Sequence, residues 1–224
     1  MKTPHPLVRW LLVILAFTVG RAQTPAQDDP ENPAMVFRAP TNPWEKPEFE
    51  FFTAMVAAKT AYRRSLADAL QNADDVQLFL LDFKTQPVKN SKDSHWENSL
   101  PLDLFPIVTR NEVSKILQRR QLPPAERKAF LLGLKRVLSI DGVHTGGMCH
   151  LPTYGIRIWA GNYVVFQTSL STCCGNLEVT YPTQGAEPMG YHDPDFEAIL
   201  QRALPIPQSE IDRFEESKKH FFLK

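Results

Sequence analysis

The segment from Cys149 to Tyr181 constrains the fold of this chain more than any other part of its sequence. It holds all three cysteines, and its alternation of apolar and polar residues is the pattern of β-strands. Two such runs, 154–159 and 163–171, flank Ala160-Gly161-Asn162, and both glycine and asparagine accept the positive φ of tight hairpin turns. The segment therefore predicts a β-hairpin whose open end brings the cysteines together.

The two faces of this hairpin indicate its register. With a three-residue turn, the numbers of opposed residues add to 322, so that Ile156 lies opposite Phe166 and the apolar side chains share one face. With a two-residue turn the sum is 323, and Ile156 faces Gln167 instead. Burial of one face therefore favours 322. Extended along the strands, that register sets Cys149 opposite Cys173, whereas 323 sets it opposite the next cysteine.

The cysteines carry the main chemical prediction. We expect a disulfide between Cys149 and Cys173, with Cys174 left as a free thiol on the apolar face. Such a bridge contributes about 3.5 kcal/mol, because it restricts the unfolded chain. An oxidising compartment suits it. Two alternatives stay open: three reduced structural cysteines, or a functional thiol or metal site.

The same region supplies the candidate catalytic and metal-binding residues. As a nucleophile, Cys149 needs a nearby base, and His144 is the better candidate because His150, its direct neighbour, points to the other side of an extended chain. Zinc ligands of the correct type are His144, Cys149, Cys174 and His192. Neither C-x2-C nor H-x3-H spacing occurs. The sequence therefore favours no metal, no cofactor and no catalytic residue.

The first 22 residues have the features of a secretory signal peptide. Lys2 and Arg9 precede an apolar run, Trp10–Gly20, that is too short to span a bilayer, and Ala22 provides a small residue for cleavage. We therefore expect an exported protein, periplasmic or extracellular, with no stable membrane insertion after cleavage.

Residues 23–47 carry six prolines among polar side chains. Because proline fixes φ and removes a backbone donor, this stretch predicts a poorly ordered lead-in, and residues 48–224 a single domain. Without the leader the chain keeps 22 basic against 25 acidic residues. That balance, with no basic block, argues against a nucleic-acid partner.

The remaining pattern predicts helices and short strands. The helical period recurs over 49–72, 125–140 and 193–204, and a last helix follows Ser209. Thr109-Arg110-Asn111-Glu112 matches a capping box, which predicts one more helix before Pro123. Apolar runs near 76–83 and 177–181 predict strands. We expect an α+β fold, in which a small antiparallel sheet is packed by amphipathic helices.

One segment resembles a group of uncharacterised bacterial exported proteins. Cys149-His-Leu-Pro152-Thr-Tyr-Gly155-Ile-Arg157 is similar to their Cys-x2-Pro-x2-Gly-Ile-Arg strand, and a second cysteine-containing strand follows. In that group the second strand often carries C-x2-C, whereas here Cys173 and Cys174 are adjacent. The resemblance implies no assigned activity.

These features together favour an exported, non-enzymatic domain with a binding or envelope-associated role, whose partner is an unknown protein or small molecule. The alternative is a thiol- or metal-dependent enzyme centred on Cys149, Cys173 and Cys174, with Cys149 and His144 as catalytic residues.

Overall fold

Seven antiparallel strands in the described part of the chain form one curled sheet in the order β2-β3-β1-β4-β5-β6-β7. The computed structural model describes residues 47–88, 96–141, 149–182 and 184–221. The strands are β1 Asp75–Pro87, β2 Leu104–Ile107, β3 Glu112–Gln121, β4 Tyr154–Ala160, β5 Tyr163–Ser171, β6 Asn176–Tyr181 and β7 Gly185–Gly190. The helices are α1 Pro47–Leu70, α2 Pro124–Leu138, α3 Pro194–Ala203 and α4 Gln208–Phe221. The expected α+β class is confirmed.

Strand β1 is an interior strand of the sheet, and its apolar run is buried on both faces, as predicted. Leu78 and Leu80 belong to the large core beneath α1, α2 and α3. The alternate residues Phe79 and Leu81 point to the other face, where they form a smaller core with Phe105, Ile107 and Ile116. Because the sheet curls, β2 lies over that second face.

Gly155 of β4 lies directly against the ring of Phe105 of β2. A Cβ atom at this position would lie 2.6 Å from Cε2 of Phe105, whose ring is fully buried against Phe79 at a centroid distance of 5.2 Å. The ring has no room to withdraw, so only glycine fits under it.

We expect Gly155→Ala to lower the free energy of unfolding by about 2 kcal/mol, because overpacking a dense core forces side chains out of their rotamers. Urea unfolding of both proteins measures this loss. The double variant Gly155→Ala/Phe105→Leu should recover part of it, since the smaller side chain vacates the space. An additive double variant would show that the ring is not the obstacle.

The helix predicted after Thr109 is wrong, because residues 112–121 form strand β3. The hydroxyl of Thr109 donates to the carboxylate of Glu178 instead of capping a helix, and Asn111 takes the left-handed conformation with φ of 52°. The apolar spacing of this segment is compatible with both periods. The segment becomes a strand and not a helix because it pairs with the edge of β1 that β4 does not occupy.

The hairpin forms where the sequence predicts it, but its register differs from the predicted one. Trp159 pairs with Val164, a sum of 323, while Ile158 pairs with Phe166, a sum of 324 that continues to Tyr154. The turn therefore has two residues, Gly161-Asn162, and a bulge at Val165 shifts the rest by one. Sums of 322 and 324 sort the faces equally well, so burial alone could not choose between them.

The other predicted helices are confirmed within a few residues. Helix α3 begins after Asp193, whose side chain accepts a hydrogen bond from the backbone N–H of Phe196 at 2.8 Å. Within the described ranges, none of the helices combines the length and apolar character that crossing a bilayer requires.

Candidate functional site

The open end of the hairpin carries the sulfur atoms. The structure joins Cys149 to Cys174, with the Cα atoms 6.1 Å apart, and leaves Cys173 as the free, exposed thiol. Both the predicted Cys149–Cys173 pairing and the predicted free thiol at Cys174 are therefore corrected. The ladder between β4 and β5 ends at Tyr154 and Leu170 with a sum of 324, which would place Cys149 opposite Gly175. Cys173 and Cys174 lie in the turn that follows β5, so the geometry of this turn sets the pairing and the strand register does not.

The free thiol lies directly beside the disulfide. The Sγ atom of Cys173 is 3.6 Å from the Sγ atom of Cys174 and 3.4 Å from the hydroxyl of Ser171. That hydroxyl accepts the backbone N–H of Cys174 at 3.2 Å, so its own hydrogen is free to point at Cys173. The three sulfur atoms thus share a small patch of surface, and the buried Ser171 hydroxyl lies behind it.

A cleft of about 900 Å³ opens on this patch. Its apolar walls come from β1, from the segment before β4 and from α4. Its described lining includes two cations and no carboxylate: Phe83, Lys84, Thr85, Arg110, Cys149, His150, Leu151, Cys173, Cys174, Phe214 and Ser217. The cleft is therefore suited to a ligand that is partly apolar and negatively charged.

Helix α4 is held against β1 as one wall of the cleft. Arg213 donates to both carboxylate oxygens of Asp82, at 3.0 and 2.9 Å, and its guanidinium lies 4.6 Å from the ring centroid of Phe83. The hydrogen bonds to Asp82 raise the pKa of Arg213. Phe214 packs edge-on against Phe83, with centroids 5.2 Å apart. The carboxylate of Asp82, inside β1, is thus satisfied by arginine hydrogen bonds.

The two cations of the cleft differ in their surroundings. Arg110 is paired with Glu112 at 3.2 Å and donates to the backbone oxygen of His150 at 3.1 Å, so its position is fixed. Lys84 is exposed and has no carboxylate partner among the described residues. Its ammonium lies 6.0 Å from the ring centroid of Phe83, which makes Lys84 the less restrained of the two described cations.

A buried carboxylate holds the short 3-10 helix that carries Arg110. Glu178 of β6 is 3% exposed and accepts the backbone N–H groups of Val108 and Thr109, at 3.2 and 2.8 Å, and the hydroxyl of Ser169 at 2.7 Å. The hydroxyl of Thr109 is a fourth donor. Four donors satisfy this buried carboxylate, which ties β2 to β5 and β6.

His150 continues this network and fixes the backbone beside Cys149. Its Nδ1 atom lies 2.5 Å from Oδ1 of Asn176, and its Nε2 atom lies 2.7 Å from Oγ of Ser169. Asn176 also donates to the backbone oxygen of Cys149 at 2.8 Å. His150 is buried while Cys149 is exposed, so the two neighbours point to opposite sides, as expected.

The order Ser169, His150, Asn176 matches the hydrogen-bond pattern of a serine nucleophile with its base and orienting group. The burial of Ser169 contradicts that role, because this residue is 0% exposed and its hydroxyl donates to Glu178. No substrate carbonyl can reach that oxygen in this structure. The three residues therefore act as a structural network behind the cleft.

The remaining candidate residues do not assemble into one site. His144 lies outside the described residues. His192 is exposed, and the carboxylate of its neighbour Asp193 is bound by Arg136 at 3.0 Å. Burial opposes the charge of Asp193, but hydrogen bonds from Arg136 and the backbone of Phe196 outweigh it and lower the pKa of that carboxyl.

The predicted metal ligands do not form a metal site in the described part of the chain. The sulfur atoms of Cys149 and Cys174 are bonded to each other, so neither is available here as a thiolate ligand. Among the described residues no group of three or more histidine, cysteine or acidic side chains could hold an ion.

A second cavity, of about 600 Å³, lies where β5 and β6 diverge after sharing two residue pairs. Arg157 lines it between the rings of Phe79 and Phe105, at 5.2 and 5.4 Å, and donates to Gln167 at 2.7 Å. Burial, and then the charge of Arg119, lower the pKa of Arg157. Because its guanidinium is already stacked and hydrogen-bonded, we place the functional site at the disulfide cleft.

Sequence reasoning missed Lys84, Arg110 and Glu178, which lie on different elements and meet only through the curl of the sheet. Glu178 had one signal, a lone acidic residue inside the apolar run Leu177–Tyr181. No protein-family model matches this chain, and neither a curated protein nor a solved structure shows significant similarity to it.

Proposed function

We propose that this chain is an exported, non-enzymatic binding domain, and that the cleft beside the Cys149–Cys174 disulfide binds a small molecule with an apolar body and an anionic group. One observation carries the proposal. The cleft combines apolar walls with Lys84 and Arg110, and its described lining holds no carboxylate. An apolar pocket with a few convergent polar groups is the usual form of a small-molecule site.

The state of the reactive side chains supports binding over catalysis. Both ring nitrogens of His150 are engaged inside the protein, and Ser169 is fully buried. Cys149 is bonded to Cys174. Neither a described histidine nor a described serine of this region is thus placed to activate a bound molecule.

Two fluorescent probes of the same shape test the proposal. 8-Anilinonaphthalene-1-sulfonate carries a negative charge, whereas N-phenyl-1-naphthylamine lacks it. We expect the wild-type protein to bind the sulfonate more tightly. In Lys84→Gln its Kd should rise about fivefold, because an exposed charge contact contributes up to about 1 kcal/mol.

The uncharged probe is the internal control, and its Kd should not change in Lys84→Gln. Lys128→Gln, on the exposed surface of α2, should leave both Kd values unchanged. Equal affinities for the two probes, or no binding of either, would contradict the proposal.

A further inference from the structure

We propose that the three sulfur atoms of the cleft form a thiol–disulfide exchange site that reversibly captures a small anionic thiol. This inference rests on the proposed function for the approach of an anionic ligand, and it adds a covalent step. The observation that carries it is a free thiol 3.6 Å from a sulfur of an accessible disulfide, at the edge of a cationic cleft.

The exposed half of the disulfide is the point of attack. Cys149 is exposed, whereas Cys174 is half-buried, so an incoming thiolate reaches the Sγ atom of Cys149 first. A bond forms between the ligand sulfur and Cys149, and the bond between Cys149 and Cys174 breaks. The electron pair of the broken bond leaves with Cys174 as a thiolate. The ligand sulfur is oxidised and Cys174 is reduced, so no further oxidant is needed.

The free thiol assists the leaving group. Cys173 lies within hydrogen-bond distance of Cys174, and its S–H can donate to the thiolate that develops there. The Ser171 hydroxyl, which accepts from the N–H of Cys174, can donate a hydrogen bond to the sulfur of Cys173 and keeps its own proton. Cys174 thus leaves as a thiolate that is stabilised by the hydrogen bond from Cys173. In the reverse step the Cys174 thiolate attacks Cys149 and expels the ligand thiolate.

The charges of the cleft set the class of ligand. Lys84 attracts a carboxylate near the disulfide and repels an ammonium group, whereas Glu112 offsets the charge of Arg110. The substrate class is therefore a low-molecular-weight thiol that carries a negative charge.

Three small thiols test the inference: 3-mercaptopropionate is anionic, 2-mercaptoethanol is uncharged and cysteamine is cationic. Each is mixed with the folded, disulfide-bonded protein, quenched with acid and measured by intact mass. Each rate is divided by the rate of the same thiol with bis(2-hydroxyethyl) disulfide, which removes differences in intrinsic reactivity. We expect the normalised rate of the anionic thiol to exceed that of cysteamine about tenfold, from attraction and repulsion together.

Peptide mapping locates the adduct. Trypsin separates Cys149, on residues 137–157, from Cys173 and Cys174, on residues 158–202. We expect the added thiol on Cys149. Cys173→Ala should slow its formation about tenfold without moving it, since the donor to the leaving thiolate is gone. Lys84→Gln should reduce the preference for the anionic thiol, and Lys128→Gln should not.

Equal normalised rates for the three thiols, or no adduct on Cys149, would overturn the inference. An unchanged rate in Cys173→Ala would remove the role of the free thiol and overturn it as well. The experiments distinguish failure of the exchange site from failure of the binding function. Sulfonate binding without a Cys149 adduct would contradict only the exchange site. A selective Cys149 adduct without sulfonate binding sinks only the non-covalent binding function.

Discussion

Glu178→Ala should lower the free energy of unfolding by about 3–5 kcal/mol, the largest effect we expect from a single substitution outside the apolar cores. The alanine leaves the part-buried N–H groups of Val108 and Thr109 and the fully buried hydroxyl of Ser169 without their acceptor. Each unsatisfied buried donor costs about 1–3 kcal/mol.

Urea unfolding measures this loss, and Glu187→Ala is the matched control. Glu187 lies on the neighbouring strand β7 and pairs with Lys59 at 2.5 Å, but its side chain is 37% exposed. Removing that pair should cost no more than about 1 kcal/mol. A loss below 1 kcal/mol in Glu178→Ala would mean that water or another group satisfies the donors.

Loss of Glu178 should also disturb the position of Arg110 in the cleft. The 3-10 helix Val108–Arg110 is held by this carboxylate, and Arg110 in turn donates to the backbone of His150 beside the disulfide. We therefore expect Glu178→Gln, which keeps one acceptor oxygen, to be the milder variant. It is the better one for probing the cleft in a folded protein.

The second large effect is expected at the disulfide. Cys149→Ala should lower the free energy of unfolding by about 3.5 kcal/mol, because the bridge closes a loop with a sequence separation of 25 and so restricts the unfolded chain. Thermal and urea unfolding of the oxidised protein measure the change. Reduced wild-type protein should show a similar loss.

Cys173→Ala separates the two possible pairings. If Cys149 is bonded to Cys174, this variant keeps the bridge and its stability stays within about 0.5 kcal/mol of the wild type. If the bridge were to Cys173, the variant would lose as much as Cys149→Ala. Cys174→Ala is less informative, since Cys173 is close enough to replace it.

The signals that span one element were readable in the sequence. The helical period of 49–72 and 125–140, the apolar run of β1 and the Gly161-Asn162 turn each depend on residues near in the chain, and each element is present. The segment after Thr109 was misread because its capping box and apolar spacing also occur in a strand. Only the free edge of β1, which is set by distant residues, decides between the two structures.

The hairpin and its disulfide also have one part that the sequence specified and one part that it did not. Sorting apolar from polar side chains fixed the parity of the hairpin register, since a shift by one residue turns every side chain to the wrong face. Parity cannot tell a sum of 322 from 324, and a bulge at Val165, which the sequence does not announce, made that choice. The partner of Cys149 was decided outside the paired strands, because Cys173 and Cys174 lie in the turn that follows β5.

The sequence by itself determined the class of fold, most helices and the meeting of three cysteines at one end of a hairpin, because these depend on local periodicity and turn chemistry. Tertiary structure alone decided that Lys84, Arg110 and Cys173 border one cleft behind which Glu178 and His150 are buried. Those residues come from four separate parts of the chain. Their proximity follows from the curl of the sheet, which is a property of how all seven strands pack together.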